Sequence, residues 1–233
     1  MQLLAKTPRG FQFYFTDRSD GDATQTPVLA AALRSVRRDD PALPMARLTQ
    51  VHSARSIVLE GPGPDGLSGG EFCNLGEGDA IVTSSVDLAC VVLVADCAPV
   101  AIYDPQGQIC AVVHAGWRGV AGGIIASAVG EMRSRGASDL VAVVGPHARP
   151  CCYSFTPSDI ATLSEEVGCD LTGVTRDGDA SLDLGRAISF QLAAVGVSSG
   201  SISGQCTICE GQFFSYRRQD LSARNALVLL PPS

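Results

Sequence analysis

Four short apolar runs in the middle of the chain constrain its fold more than any other feature. They are rich in β-branched residues, are separated by turns containing Asp, Pro or Gly, and span residues 80–83, 88–95, 100–103 and 109–113. Runs that are apolar at almost every position are typical of strands buried on both faces. The sequence therefore predicts several adjacent buried strands at the centre of the fold.

Helical periodicity occurs outside this central block. It predicts helices at residues 27–38, 120–135, 157–167 and 184–195, and further strands are predicted at 11–15, 46–60, 140–144 and 227–230. Strands outnumber helices and do not alternate strictly with them, which favours mixed sheets with helices on their outer faces. We therefore predict an α+β (mixed α/β) fold in a single domain, residues 1–233. The Gly- and Pro-rich stretch 61–78 is predicted to be a mobile loop that could cover a site.

Charge and composition exclude some partners. The net charge is −7 and the pI is near 4.9, and the only short basic run, residues 34–38, is predicted to be a solvated helix face, so nucleic acid is not an expected partner. No apolar stretch approaches the roughly 18 residues of a membrane helix, and the N-terminus lacks the apolar core of a signal peptide. The nine cysteines are an odd number, and several lie in strand-like runs. Because these cysteines are not expected to form disulfide bridges, we expect reduced thiols and a cytoplasmic protein.

Three residues at the ends of apolar segments could bind a metal. His52, Cys97 and His114 offer two imidazoles and one thiolate, a donor set that suits zinc and leaves a fourth tetrahedral position for water or substrate. Their spacing matches no short paired metal motif, and a single His or Cys on an apolar segment is more often a core residue. The third histidine, His147, is interpreted as such a core residue.

Seven motifs in chain order carry a family resemblance. They are TQVHS, GDAIVT, VADCAPV, VVHAGWRG, VVGPHARPCCY, LDL and FFSYRR, and the likeness spans about residues 52–218. The chain resembles the laccase-domain family, also called multicopper polyphenol oxidases or purine nucleoside phosphorylase-like proteins. This resemblance implies a zinc ion held by His52, Cys97 and His114, activity on purine nucleosides, and a four-layer α/β/β/α arrangement.

The resemblance and the residues permit two reactions, deamination and phosphorolysis. A zinc ion with an open position lowers the pKa of its bound water to about 7, which would allow deamination of adenosine. The H-x-E signature of cytidine-type zinc deaminases is absent, because Ala115 and Gly116 follow His114. Asp96 is therefore a candidate catalytic proton carrier, with a turn residue or a hydrogen-bond acceptor for a ligand histidine as the alternative.

Phosphorolysis requires a bound phosphate. Arg118, at a Gly-rich turn that enters a helix, is the candidate, with a structural salt bridge as its alternative role. The motif FFSYRR contains Tyr216, Arg217 and Arg218. These residues could stack on a base or hold phosphate, and the alternative is that they belong to a packed C-terminal strand. Arg18 falls where the family carries an arginine near the pocket, although the surrounding segment is shorter than is usual in the family.

Two cysteine pairs have no role that the sequence defines. Cys206 and Cys209 form a C-x-x-C that could bind metal or undergo redox chemistry, but no second C-x-x-C exists to complete a four-thiolate site. The adjacent Cys151 and Cys152 are interpreted as free thiols, since a disulfide between them would be strained.

Three other functions remain open. A copper polyphenol oxidase would need more imidazoles than three histidines supply for a trinuclear cluster, although copper binding in vitro is expected from the Irving–Williams order. A cysteine hydrolase or amidase, including one that edits cell-wall precursors, could use Cys97 as nucleophile and His114 as base. A non-catalytic binding module ranks last.

We predict a zinc-dependent purine nucleoside phosphorylase for adenosine, inosine and methylthioadenosine, with adenosine deamination as a second reaction. Its expected partners are nucleosides and phosphate, and a monomer is favoured. The sequence does not define the physiological substrate.

Overall fold

The computed structural model describes residues 1–36, 43–61, 71–106 and 108–232. These residues form two six-stranded sheets and a small two-stranded one. The strands are β1 Gln2–Lys6, β2 Gln12–Phe15, β3 Met45–Thr49, β4 Ser56–Leu59, β5 Phe72–Glu77, β6 Ala80–Thr83, β7 Ala89–Val94, β8 Ala98–Tyr103, β9 Cys110–Ala115, β10 Val141–Val144, β11 Thr172–Val174, β12 Ala180–Leu182, β13 Ser198–Ile202 and β14 Asn225–Leu230. The helices are α1 Thr26–Val36, α2 Trp117–Ala121, α3 Ile124–Ser134, α4 Pro157–Val167 and α5 Leu184–Ala194.

Both large sheets are mixed. The first has the order β1-β2-β14-β7-β3-β5, antiparallel except where β3 pairs with β7 and β5. The second has the order β13-β10-β8-β9-β6-β4, with parallel pairs only at its two edges. The strand β14 near the C-terminus lies between β2 and β7, so distant parts of the chain share one sheet.

Three apolar clusters define the layers. The central cluster packs the phenylalanines of β2 and apolar residues of β7 and β14 against Ile81 and Val112 of the second sheet. The outer face of the first sheet contacts α1, and the outer face of the second contacts α3, α4 and α5. The order is helix, sheet, sheet, helices, which confirms the α/β/β/α prediction.

Helix α4 matches its prediction at both ends. The Thr156 side chain accepts a hydrogen bond from the Asp159 amide, Pro157 occupies the first turn, and Gly168 ends the helix with a φ of 84°. These are standard start and stop signals, which a sequence shows directly.

Other elements differ from prediction. The expected strand 46–60 is two strands in different sheets, β3 and β4, because the chain crosses from one sheet to the other between them. The expected helix 120–135 is divided into α2 and α3 by Gly122 and Gly123, the second of which has a φ of 88°. Part of the predicted loop 61–78 is strand β5, and residues 62–70 lie outside the described residues, as do positions 37 and 38 of the first predicted helix. Residues Tyr216–Arg218 form a 3₁₀ turn instead of a strand.

Among the described residues, no helix combines the length and the apolar character that crossing a membrane would require.

Candidate active site

The three predicted ligands meet at one end of the second sheet. His52 lies in the connection from β3 to β4, Cys97 directly precedes β8, and His114 is the penultimate residue of β9. The donor atoms of His52, Cys97 and His114 all lie within 4.8 Å of one another. Folding therefore converges three residues that are separated by 45 and 17 positions in the chain.

A fourth residue, Asp79, orients two of these three. Its carboxylate accepts a 2.8 Å hydrogen bond from Nδ1 of His114, so that Nε2 is the ring nitrogen of His114 that remains for a metal ion. The same carboxylate accepts hydrogen bonds from the backbone amides of His52 (3.1 Å) and Ser53 (2.6 Å) and from the Ser53 hydroxyl (2.8 Å). Burial opposes ionisation of Asp79, but these hydrogen bonds outweigh it and lower its pKa to about 2.

The backbone around the ligands is tightly constrained. His52 and Asp96 have φ values of 58° and 84°, in the left-handed region that residues with a Cβ rarely adopt. A Cβ on Gly116 would lie 2.8 Å from Sγ of Cys97 and 3.1 Å from Cδ2 of His52. Only glycine at position 116 lets the chain pass this close to two of the ligands, which explains the first glycine of the HAGWRG motif.

The charges of the cluster favour an anionic sulfur. Burial would raise the pKa of Cys97, but the charges of His114 and His52 and their hydrogen bonds to the sulfur lower it to about 6. Burial would lower the pKa of His114, but the Cys97 thiolate and Asp79 raise it. Zinc binds a thiolate and neutral imidazoles, so its binding would release the proton that the raised pKa keeps on His114. One thiolate and two imidazoles are a donor set that fits a zinc ion with one open coordination position.

A cavity of about 810 Å³ opens onto this cluster. Besides the three ligands, its lining includes four aromatic side chains: Trp117, Tyr153, Phe155 and Tyr216. Tyr216 is 55% exposed, and Tyr153 is buried. The volume lies within the range typical of small-molecule sites, and the mixed aromatic and polar lining suits a flat heterocycle.

Three arginines also line this cavity: Arg118, Arg217 and Arg224. The guanidinium of Arg118 lies 4.0 Å above the Trp117 ring and has no salt bridge to any described residue, so its alternative structural role is not observed. The guanidinium of Arg217 instead lies 4.8 Å from the Tyr153 ring centroid and donates to the Ser154 carbonyl at 3.0 Å. Arg118 is therefore the arginine of this lining that is best available to an anion.

Two predicted site residues have other contacts. Both carboxylate oxygens of Asp96 are occupied, one by the Thr207 hydroxyl and the other by the Arg217 amide, each at 2.8 Å. The guanidinium of Arg18 donates to the Phe213 carbonyl at 3.1 Å and pairs with Asp220, and Arg18 does not line the cavity. The expectation of Arg18 in the pocket is corrected, because this ion pair holds it beside the C-terminal segment.

The remaining histidine is separate from the ligand cluster. His147 is fully buried, its Nδ1 lies 2.8 Å from the Gly145 carbonyl oxygen, and burial lowers its pKa to about 4. Since all three histidines of the chain are described, a centre with three or more imidazoles does not form here.

Sequence reasoning missed Asp79, Tyr153 and Phe155. Asp79 stands in the GDAIVT motif directly before a buried strand, where a charged residue is unusual, and that position was the available signal. Tyr153 and Phe155 lie in irregular chain after β10, and no local pattern shows that they face His52, Cys97 and His114.

Comparisons with known proteins agree with this architecture. A family model described as multi-copper polyphenol oxidoreductase laccase matches residues 19–230. A purine nucleoside phosphorylase of Clostridium acetobutylicum is 33% identical over 152 residues, covering 63% of this chain and 64% of that protein, just under two thirds of its length. Purine nucleoside phosphorylase ORF3 of Streptomyces griseus is 31% identical over an alignment of 240 residues, covering 92% of each chain. A crystal structure of a Neisseria meningitidis protein matches the fold with a TM-score of 0.77 at 22% identity, covering 100% of this chain and 99% of the other.

The fold and the site define a mixed α/β protein with a candidate metal centre in an aromatic cavity. The chain belongs to the multi-copper polyphenol oxidoreductase laccase family, the laccase-domain family that its motifs resemble.

Proposed function

We propose that this protein is a zinc-dependent purine nucleoside phosphorylase that acts on adenosine, inosine and methylthioadenosine. The observation that carries the proposal is the convergence of His52, Cys97 and His114 on a cavity of about 810 Å³ that is lined by aromatic and arginine side chains. The names of the relatives, purine nucleoside phosphorylases, support the same assignment.

The zinc ion would be held by His52, Cys97 and His114. When bound, it would supply a Lewis acid next to the reacting nucleoside. Asp79 fixes the ring of His114 and the backbone of His52, so that the donor atoms are oriented before any ligand arrives.

The purine and the phosphate would occupy different parts of the cavity. Tyr216, exposed at the cavity, would stack on the base, with Phe155 and Tyr153 forming the apolar wall. Arg118 would bind phosphate, because its guanidinium is accessible, stacked on Trp117 and free of an ion pair with the described residues. Phosphate bound there could form the new bond to C1′ of the ribose while the bond from C1′ to the base nitrogen breaks.

Deamination of adenosine is proposed as a second reaction of the same site. Asp96 is the sequence candidate for proton transfer in it, but both of its oxygens accept hydrogen bonds from neighbouring residues. We therefore assign Asp96 a positioning role, in which it holds the turn that carries Tyr216 and Arg217 against the cavity.

The test incubates zinc-loaded protein with adenosine, inosine or methylthioadenosine, with and without phosphate. Chromatography would follow free base, ribose 1-phosphate or its methylthio analogue, and ammonia. The proposal expects phosphate-dependent release of base, with ammonia appearing only from adenosine. If none of the three nucleosides is converted, the proposed function is wrong.

A cysteine hydrolase is the second candidate, and one observation favours it. Cys97, His114 and Asp79 form a chain of nucleophile, base and orienting carboxylate, the arrangement of a catalytic triad. A thiolate that is bound tightly to zinc is not a free nucleophile. Resistance of Cys97 to iodoacetamide in zinc-loaded protein would support the phosphorylase, whereas rapid alkylation and cleavage of an amide substrate would support the hydrolase.

Compartment, assembly and metal choice also belong to the proposal. All nine cysteines are free thiols, which supports a reducing compartment, the cytoplasm. We propose that the protein acts as a monomer. Copper would bind the same donors in vitro, as the Irving–Williams order requires.

A further inference from the structure

Four cysteines that the candidate active site does not use come together elsewhere in the fold. Cys151 and Cys152 lie in the turn after β10, and Cys206 and Cys209 follow β13. Their four sulfur atoms all lie within 4.8 Å of one another, and the sulfurs of Cys151 and Cys209 are 3.9 Å apart. Each pair alone has too few thiols for a four-thiolate metal site, but the fold brings the two pairs together into one cluster of four thiols.

The dimensions of this cluster suit a single metal ion. Zinc bound by four cysteines has bonds of about 2.3 Å, which place neighbouring sulfurs of a tetrahedron about 3.8 Å apart. The separation of Cys151 and Cys209 is 3.9 Å, so this pair already has the spacing of such an edge. All four are free thiols, and the sulfur atoms of Cys151 and Cys209 are well beyond the roughly 2.05 Å of a disulfide bond.

Backbone hydrogen bonds hold the segments that carry the four sulfurs. The amides of Arg149, Ile208 and Cys209 donate to the Cys206 sulfur, and the Arg176 amide donates to the Cys151 carbonyl at 3.1 Å. Hydrogen bonds around the ligands orient them for a metal ion.

We propose that Cys151, Cys152, Cys206 and Cys209 bind one structural zinc ion. The site would be closed, with four protein ligands and no position for water or substrate, so it would not take part in chemistry. This is a second metal site, distinct from the one formed by His52, Cys97 and His114.

The zinc would connect two segments that form walls of the cavity. Cys152 is followed directly by Tyr153, and Cys206 and Cys209 lie in the segment that continues to Tyr216 and Arg217. A cross-link between these two segments closes a long loop, which mainly restricts the unfolded chain and holds both walls in place.

The test counts zinc in protein purified under reducing conditions with zinc supplied, using native mass spectrometry. The wild-type protein is expected to carry two zinc ions. The double variant Cys206→Ser with Cys209→Ser should carry one, and Cys169→Ser, a half-buried cysteine outside the cluster, should retain two. Cobalt substitution should show intense sulfur-to-metal charge-transfer absorption that is lost in the double variant.

A second variant separates this proposal from the proposed function and does not disturb the four cysteines. His52→Ala combined with Cys97→Ser should keep one zinc, and X-ray absorption at the zinc edge should show sulfur neighbours only, at about 2.3 Å. The proposal is overturned if this variant binds no zinc, if its zinc has nitrogen or oxygen neighbours, or if reduced wild-type protein proves to carry a disulfide within the cluster. If the wild-type protein shows no nucleoside phosphorolysis, the proposed function is wrong, but the zinc bound by the four cysteines is still expected.

Discussion

Asp79 illustrates how much of the site depends on a single side chain. It is fully buried, yet it serves the ring of one proposed ligand and the backbone of another. We predict that Asp79→Asn weakens zinc binding by about 10- to 100-fold, because an amide cannot accept all of these hydrogen bonds. The free energy of unfolding should fall by about 1–3 kcal/mol, since buried donors lose their acceptor.

Competition with a chromophoric zinc chelator would measure the affinity of Asp79→Asn, and urea titration its stability. The matched control is Asp87→Asn, which changes an exposed aspartate in the connection between β6 and β7 and should alter neither quantity. Unchanged zinc affinity in Asp79→Asn would contradict the orienting role.

The phosphate role of Arg118 makes a separate prediction. Arg118→Gln should raise the KM for phosphate by about 10- to 100-fold, as expected for the loss of a charged hydrogen bond. The KM for the nucleoside should change much less. Steady-state kinetics at varied phosphate would show this, with Arg133→Gln, on the exposed side of α3, as the control. A proportional rise in both KM values would point to damage of the whole cavity instead.

At the scale of the elements, the turn from β9 into α2 has no room for a side chain at position 116. Gly116→Ala would bring a methyl group within 2.8 Å of the Cys97 sulfur. We predict that this variant loses most of the zinc bound by His52, Cys97 and His114 and keeps the zinc of the four-cysteine cluster, because either the Cys97 sulfur or the turn must move.

Gly130→Ala provides the control for this turn. Gly130 lies within α3 and an added Cβ would meet nothing within 4 Å, so stability should rise by about 0.5–1 kcal/mol with normal zinc content. Zinc analysis of Gly116→Ala and Gly130→Ala would measure their metal content, and thermal unfolding would measure their stability. Full zinc occupancy in Gly116→Ala would show that the ligands are less tightly packed than the geometry indicates.

The elements also show what a sequence can and cannot predict. The central strands β6, β8 and β9 and the helix α4 have strong local patterns, continuous apolar runs or clear caps, and were predicted with small errors at their ends. The edge strand β13 is mostly exposed and carries three serines, so it lacks such a pattern. Apolar residues recur along residues 46–60, and nothing local shows that the two halves of this stretch belong to different sheets.

At the scale of the whole molecule, local sequence patterns alone do not predict the site either. The ligands His52, Cys97 and His114 were predicted because their motifs resemble a family, not because of their spacing. Their convergence depends on the contact between the two sheets and on Asp79, which are properties of the fold. The four-cysteine cluster is a clearer case, since its two pairs are 54 positions apart counted from Cys152 to Cys206 and look incomplete separately.

The two stacked sheets should unfold as one unit. Ile81 lies in the cluster between the sheets and is fully buried, so Ile81→Ala should lower the free energy of unfolding by about 2–5 kcal/mol and Ile81→Val by only about 0.5–1.5 kcal/mol. Fluorescence of Trp117, the only tryptophan, reports on the helical side of the second sheet, and circular dichroism reports on both sheets. Coincident transitions by the two probes are expected; separate transitions would mean that the sheets are independent.

In the proposed function, Cys97 binds the zinc ion on which phosphorolysis depends. The most direct measurement is the zinc content and the rate of phosphate-dependent hypoxanthine release from inosine, compared between Cys97→Ser and the control Cys169→Ser. We expect Cys97→Ser to lose one of the two zinc ions together with turnover and to keep the zinc of the four-cysteine cluster, whereas Cys169→Ser should keep both zinc ions and full turnover. Normal phosphorolysis by Cys97→Ser would mean that Cys97 does not bind a catalytic zinc ion.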